Sequence, residues 1–162
     1  MPTHLSLRKE LHHSPTEAVA HFTNSAELTA IMLDAGSLNP RISVEHQHPH
    51  TWHVTVERTF EADWPSWIAG LVGDGLRIRE ERTWTLVDDA LLTGTMELTV
   101  IGQPVTMRGI VECVAHESGS RISIEADVRA GIPLLGGKIE DVVCTYLKEG
   151  IEHEIVEFNN LD

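Results

Sequence analysis

From Thr3 to His12 apolar and polar positions alternate, with Leu5, Leu7 and Leu11 on one side and Ser6, Arg8 and Glu10 on the other, which predicts a half-buried strand. Ser14-Pro15-Thr16-Glu17 then combines a capping serine, a proline suited to the first helical position and a glutamate that reaches back to the cap. A short helix carrying Val19 and Phe22 is expected there. Asn24-Ser25-Ala26-Glu27 repeats the signal, and a second helix runs through Leu28, Ile31, Met32 and Ala35 to a stop at Gly36. After Asn39-Pro40 the period becomes two. Ile42 and Val44 alternate with Ser43 and Glu45; a turn near Pro49 leads to Trp52, Val54, Val56 and Phe60, alternating with His53, Thr55, Glu57 and Thr59. This predicts a hairpin. Asp63-Trp64-Pro65-Ser66 interrupts it, and Trp67–Val72 reads as a short helix before Gly73 and Gly75.

Four further alternating runs span Leu76–Leu86, Leu91–Ile101, Val105–Ala115 and Arg121–Ala130. Asp88-Asp89, Gly102-Gln103-Pro104 and Glu117-Ser118-Gly119-Ser120 separate them, and such short turns make an antiparallel meander. Gly131-Ile132-Pro133-Leu134-Leu135-Gly136-Gly137 ends the alternation. From Lys138 to about Asn159 the pattern is helical: Ile139, Val143, Leu147, Ile151, Ile155 and Phe158 form one stripe, and Glu140, Asp141, Lys148, Glu149, Glu152 and Glu157 cover much of the rest. A stripe of that length needs a partner surface, which the sheet supplies. The expected class is α+β: about 6–7 antiparallel strands in a curved sheet wrapped around a long C-terminal helix, with two short helices after the first strand, in one domain over residues 1–162.

That order, together with Gly-Ile-Pro-Leu-Leu-Gly-Gly-Lys-Ile-Glu at 131–140, resembles the START-like, or birch-pollen-allergen-like, helix-grip superfamily over essentially the whole chain. More narrowly, Ser14-Pro15 after the first strand, the stretch from Pro65 to Trp84 and the 131–140 segment resemble an uncharacterised actinobacterial family within it. The resemblance implies an apolar cavity between sheet and long helix. Superfamily members carry lipids, sterols, polyketides or plant hormones, and a minority are cyclases, dehydratases or other enzymes. It transfers a shape and a ligand class but no catalytic residues.

Charge narrows the partners. Twelve Lys and Arg stand against twenty-five Asp and Glu, for a net charge of −13. Nucleic acids and anionic lipid surfaces repel such a chain, and its cations form no basic run. No apolar run reaches the roughly 20 residues that span a bilayer, and Met1–Glu10 lacks the pattern of a signal peptide. Cys113 and Cys144 read as free thiols of a reducing cytoplasm. The expected partner is an apolar small molecule, with no nucleic acid, no membrane insertion and no cofactor; a homodimer is an open alternative.

By alternation, the pocket-facing positions are Trp52, Val54 and Val56 on one strand, Trp84 on the next, and Met96, Leu98, Met107, Val111 and Ile124 beyond, with Val143, Leu147 and Ile151 from the helix; Tyr146 is a further polar group expected to orient a guest. A filled core would show the same alternation. Arg58 shares a face with Val54 and Val56, and Glu80 and Arg82 share one with Ile78 and Trp84. Such groups either orient a ligand, perform acid–base chemistry, form a structural ion pair or are turned outward by twist. Gly150 and Glu154 interrupt the helical stripe; the first leaves room, and the second needs a partner if it faces inward. His46 and His48 share a face within His46-Gln47-His48-Pro49-His50-Thr51-Trp52-His53, the spacing of two ligands of one metal. No third ligand follows from the pattern, so a solvated turn is the reading and no metal is expected. Gly136-Gly137-Lys138 lacks P-loop spacing, and no G-x-S-x-G elbow is present. No motif names a reaction, and a non-enzymatic carrier is expected; the rivals are a cyclase or dehydratase on the same fold and an interaction module with a filled core.

Overall fold

A computed structural model of the protein describes residues 2–60, 65–67, 70 and 75–161. Strand β1 (Thr3–Leu11) is followed by helices α1 (Pro15–Phe22) and α2 (Ser25–Asp34). Strands β2 (Leu38–His48), β3 (Thr51–Phe60), β4 (Leu76–Asp88), β5 (Leu91–Val100), β6 (Val105–His116) and β7 (Gly119–Ala130) come next, and helix α3 (Gly136–Asn159) closes the order. The short helix expected over Trp67–Val72 lies, for most of its length, outside the described residues.

All seven strands form one antiparallel sheet in the order β1-β7-β6-β5-β4-β3-β2. Successive strands from β2 to β7 are neighbours in the sheet, which makes the meander, and β1 pairs with the free edge of β7, Leu5 opposite Ala126 and Leu7 opposite Ile124. This is the helix-grip α+β arrangement. The local signals act as their chemistry requires. Ser14 Oγ accepts from the Glu17 N–H while the Glu17 carboxylate accepts from the Ser14 N–H, and the Asn24 side chain accepts from the Glu27 N–H. Gly36 takes the left-handed φ of 89° that ends α2. β2 begins at Leu38, ahead of Asn39-Pro40. Its pairing with β3 slips between Leu38 and Arg41, where Asn39 has φ 49° and Pro40 has no N–H, so the dipeptide bends the strand rather than preceding it.

The alternating apolar positions are buried on the inner face: Leu5, Leu7 and Leu11 of β1 and Ile122, Ile124 and Val128 of β7 are all 6% exposed or less. Helix α3 leans on these two strands. Both of its ends are tied down. At the start, Gly136 lies so close to β7 that a Cβ there would stand 2.5 Å from the Ala130 carbonyl oxygen. Glu140, expected on the solvent side, is instead buried: its carboxylate accepts hydrogen bonds from the Ala130 N–H (2.9 Å) and the Thr3 hydroxyl (3.1 Å). At the far end, His13 Nε2 donates to the Phe158 carbonyl at 2.8 Å, the His12 N–H to Asn159 Oδ1 at 2.8 Å, and Asn159 Nδ2 to the Glu10 carbonyl at 3.1 Å. Burial along the stripe follows. Ile139, Val143, Ile155 and Phe158 are buried, whereas Leu147 and Ile151 in the middle are only half-buried.

Candidate functional site

The middle of α3 stands over a cavity. Pairing of β3 with β4 sets Arg58 opposite Ile78, Val56 opposite Glu80 and Val54 opposite Arg82. β5 sets Leu98 beside Glu80 and Met96 beside Arg82. Because side chains two residues apart share a face, Arg58, Glu80 and Arg82 all point to the inner side. Glu154 meets them from α3.

The four charges interlock. Glu80 Oε1 accepts from Arg58 Nη2 at 2.6 Å, and Glu80 Oε2 accepts from Arg82 Nη2 at 2.7 Å and Nε at 3.1 Å. Glu154 Oε1 stands 3.4 Å from Arg82 Nη2 and 3.6 Å from Arg58 Nη1. Arg58 also lies over the Phe60 ring, 4.6 Å from its centroid. Glu80 is 3% exposed and Arg82 5%. Burial by itself would push the Glu80 carboxyl up, but Arg82 and Arg58 outweigh it and hold the group down at about 2. Burial likewise works against the Arg82 cation, and Glu154 and Glu80 reverse that and raise its affinity for the proton. Two guanidiniums therefore face two carboxylates, a balanced group in a site where a lone charge would be costly.

The cavity measures about 80 Å³. Arg58, Glu80 and Arg82 with Glu154 form its charged wall, Met96, Leu98 and Met107 come from β5 and β6, and Val143, Tyr146, Leu147 and Ile151 come from the helix. Phe60, Leu76, Ile78 and Val100 line it as well. They are not among the pocket-facing positions expected from the pattern, although the same alternation carries the inner face to the ends of β3, β4 and β5. Gly150 borders the cavity, and a Cβ there would meet nothing within 4 Å.

The other positions expected at the pocket lie elsewhere. Trp84, Val111 and Ile124 border a second cavity of about 30 Å³, which shares Arg82, Met96, Ile151 and Glu154 with the first. Trp84 packs on Phe22, ring centroids 4.8 Å apart, and over Gly94, where a Cβ would come within 2.6 Å of the indole. Val54 and Val56 are fully buried in the sheet's own packing and border neither cavity. Trp52 is half-buried and stacks flat on His46 at 4.8 Å.

His46 and His48 are exposed, and a register shift separates them; His46 Nε2 faces the Pro49 carbonyl at 3.2 Å. Among the described residues, the group whose ligand atoms come close enough for a metal is Asp34, His153 and Glu157, all within 4.8 Å of one another where α2 ends beside α3. His153 and Glu157 lie four apart on one helix face, a spacing legible in the sequence, but Asp34 joins them only through the fold. Cys113 and Cys144 are both free; burial pushes the Cys113 thiol up to about 12 and raises that of Cys144, which leaves both poor nucleophiles.

The family described as "Protein of unknown function (DUF2505)" matches residues 6–159. An uncharacterized protein of Mycobacterium tuberculosis is 26% identical over 98 residues, which is 59% of this chain and 56% of that protein, so the match spans little more than half of either. Among solved structures, the protein TTHA0849 from Thermus thermophilus superposes with a TM-score of 0.67 at 11% identity, over 98% of this chain and 95% of that one. Ara h 8.0201 gives 0.60 at 9% identity, covering 99% of this chain and all (100%) of that one. Norcoclaurine synthase from Thalictrum flavum gives 0.57 at 11%, covering 99% and 86%. At these identities the likeness is one of fold, the START-like, birch-pollen-allergen-like fold. No helix among the described residues is long and apolar enough to cross a membrane.

Proposed function

This chain belongs to the DUF2505 family, and from that premise, which brings a fold and no activity, we propose that it binds and carries a small apolar molecule between the concave sheet and the middle of α3. The observation that carries the reading is the cavity itself. α3 is fastened at both ends and left half-buried over a space lined by Met96, Leu98, Met107 and Leu147, with one charged wall. Burial of a guest's apolar surface there contributes roughly 25 cal/mol per Å², and methionines let the lining adapt to its shape.

Size limits the guest. At about 80 Å³ the space is well below the roughly 300–1,000 Å³ of sites that enclose drug-sized ligands. Of lipid-, sterol- and polyketide-like molecules, it takes a short chain or one end of a larger body; a whole sterol requires the middle of α3 to lift from β4 and β5. Two free thiols fit a reducing, cytoplasmic location for such a carrier.

Catalysis by Glu80 is the weaker reading. A carboxyl held at about 2 by two arginines is a feeble base and carries no proton to donate near neutrality. His46 and His48 stand outside the cavity. The test is native mass spectrometry of protein purified from its native type of cell, followed by displacement of an environment-sensitive apolar dye. A stoichiometric apolar compound, and dye binding abolished by Gly150→Leu, support the carrier. Dye binding that ignores Gly150→Leu sinks the cavity as its site.

A further inference from the structure

We infer that the end of α2 and the last turns of α3 form a binding site for one divalent transition-metal ion of the zinc class, held by Asp34, His153 and Glu157. The sequence supplies two of these ligands at one spacing: His153 and Glu157, four residues apart, share a face of α3. The fold supplies the third, because α2 ends at Asp34 beside that face. One ligand atom from each residue lies within 4.8 Å of those of the other two. His153 Nε2 stands 3.4 Å from Asp34 Oδ2. Two bonds of about 2.1 Å to one tetrahedral ion span roughly that distance, so this pair already has the separation that a shared ion sets. Turning the Glu157 carboxylate toward them completes the set.

The cluster lacks a fixed cation of its own. Among the described residues, neither Asp34 nor Glu157 is paired with a lysine or arginine, and His153 Nε2 faces Asp34 without a hydrogen bond. Both carboxylates also stand at the unfavourable end of a helix. Asp34 is the last residue of α2 and Glu157 lies in the last turn of α3, where the terminal carbonyls already carry partial negative charge. Neither last turn holds a basic residue to offset it. In a chain of net charge −13, one bound cation relieves both carboxylates at once. The donor set selects the ion. An imidazole nitrogen with two carboxylate oxygens suits zinc, nickel or cobalt, whereas magnesium and calcium prefer oxygen ligands. The side chain of Asp34 is 64% exposed and that of His153 37%, so water reaches the site and fills the remaining positions. Bound there, the ion fastens α2 to α3 one residue from Glu154 of the charged wall.

The test titrates zinc chloride alone into the metal-stripped, tag-free full chain, read by calorimetry and by the ring-nitrogen shifts of its isotope-labelled histidines. The expected result is one equivalent whose binding moves the His153 ring signals. It also raises the midpoint of thermal unfolding by about 5 °C when zinc is in large excess over its Kd. Asp34→Asn, His153→Gln and Glu157→Gln are each expected to lower the affinity by at least about tenfold, and magnesium is expected to bind more weakly than zinc. The three ligands lie on two helices and are partly exposed, so a variant that fails to fold leaves the others to decide. Absence of zinc binding at millimolar concentration overturns the inference and leaves His153 as an ion-pair partner of Asp34. Zinc held by the exposed turn at His46 and His48 overturns it as well; binding would then ignore the three variants and be lost in His48→Ala.

Discussion

Along β1, the end of β7 and the start of α3, side chains fill the gap between sheet and helix: Leu5, Leu7, Val128 and Ile139 are all 6% exposed or less and border neither cavity. Along β3, β4 and the middle of α3 the same gap holds two arginines, two glutamates and open space. One side satisfies the ordinary rules of a core. The other breaks them together, with charges at inward positions, a glycine in mid-helix and buried N–H groups without partners. Sites where local rules fail within an otherwise consistent fold are where function is expected. The contrast also explains how α3 can cover a cavity without collapsing into it, since hydrogen bonds at Glu140, His13 and Asn159 fasten its ends and Glu154 meets Arg82 and Arg58 beside the cavity.

The largest test of the contrast is to break the charged wall. Glu80→Gln removes the carboxylate that both arginines share and is expected to destabilise the protein by about 3–5 kcal/mol in urea unfolding. A loss under about 1 kcal/mol would mean that the wall is solvated and not part of the interior. Acid probes the same group. The folded pKa of Glu80, about 2, lies below its ordinary 4.5. Its contribution is therefore present above 4.5 and lost as pH falls toward 2, roughly 3 kcal/mol in all. Stability measured from pH 6 to pH 2 is expected to fall along that limb, and the limb should flatten in Glu80→Gln.

The contrast is sharpened by one truncation on each side. Leu11→Ala, in the filled half, is expected to cost about 2–5 kcal/mol. Leu98→Ala, where the side chain already borders open space, should lie about 1–2 kcal/mol lower, because fewer contacts are lost. Equal costs would show that the cavity closes in solution. The smallest effect is Gly150→Ala. A Cβ there meets nothing within 4 Å, so the substitution should stabilise the helix by roughly 0.5–1 kcal/mol while weakening guest binding. Destabilisation would mean that the helix packs more tightly over the sheet than this geometry allows.

Much of this was readable residue by residue. Period-two runs and turn chemistry located the strands from β3 onward, and Ser14-Pro15 and Asn24 announced α1 and α2, because a cap or a turn depends on atoms only a few positions apart. Arg58, Glu80 and Arg82 were visible as polar residues on an apolar face. Whether they were turned out by twist, paired as structure or set in a cavity was not visible, since the answer depends on Glu154, more than seventy residues from Arg82, arriving from α3. Glu140 misled for the same reason. It has the helical position of a solvent-facing residue, and only the close approach of Ala130 and Thr3 makes it a buried acceptor.

What the chain determines by itself is therefore the set of elements, their inward faces and the long amphipathic helix, all consequences of short-range periodicity. Only the tertiary structure decided that β1 closes beside β7, that α3 is held at its ends, and that Val54 and Val56 pack the sheet while Phe60 and Leu76 line the cavity. Periodicity assigns a residue to a face. Where along that face the helix leaves space depends on how two surfaces distant in sequence fit together, and no local pattern encodes that distance.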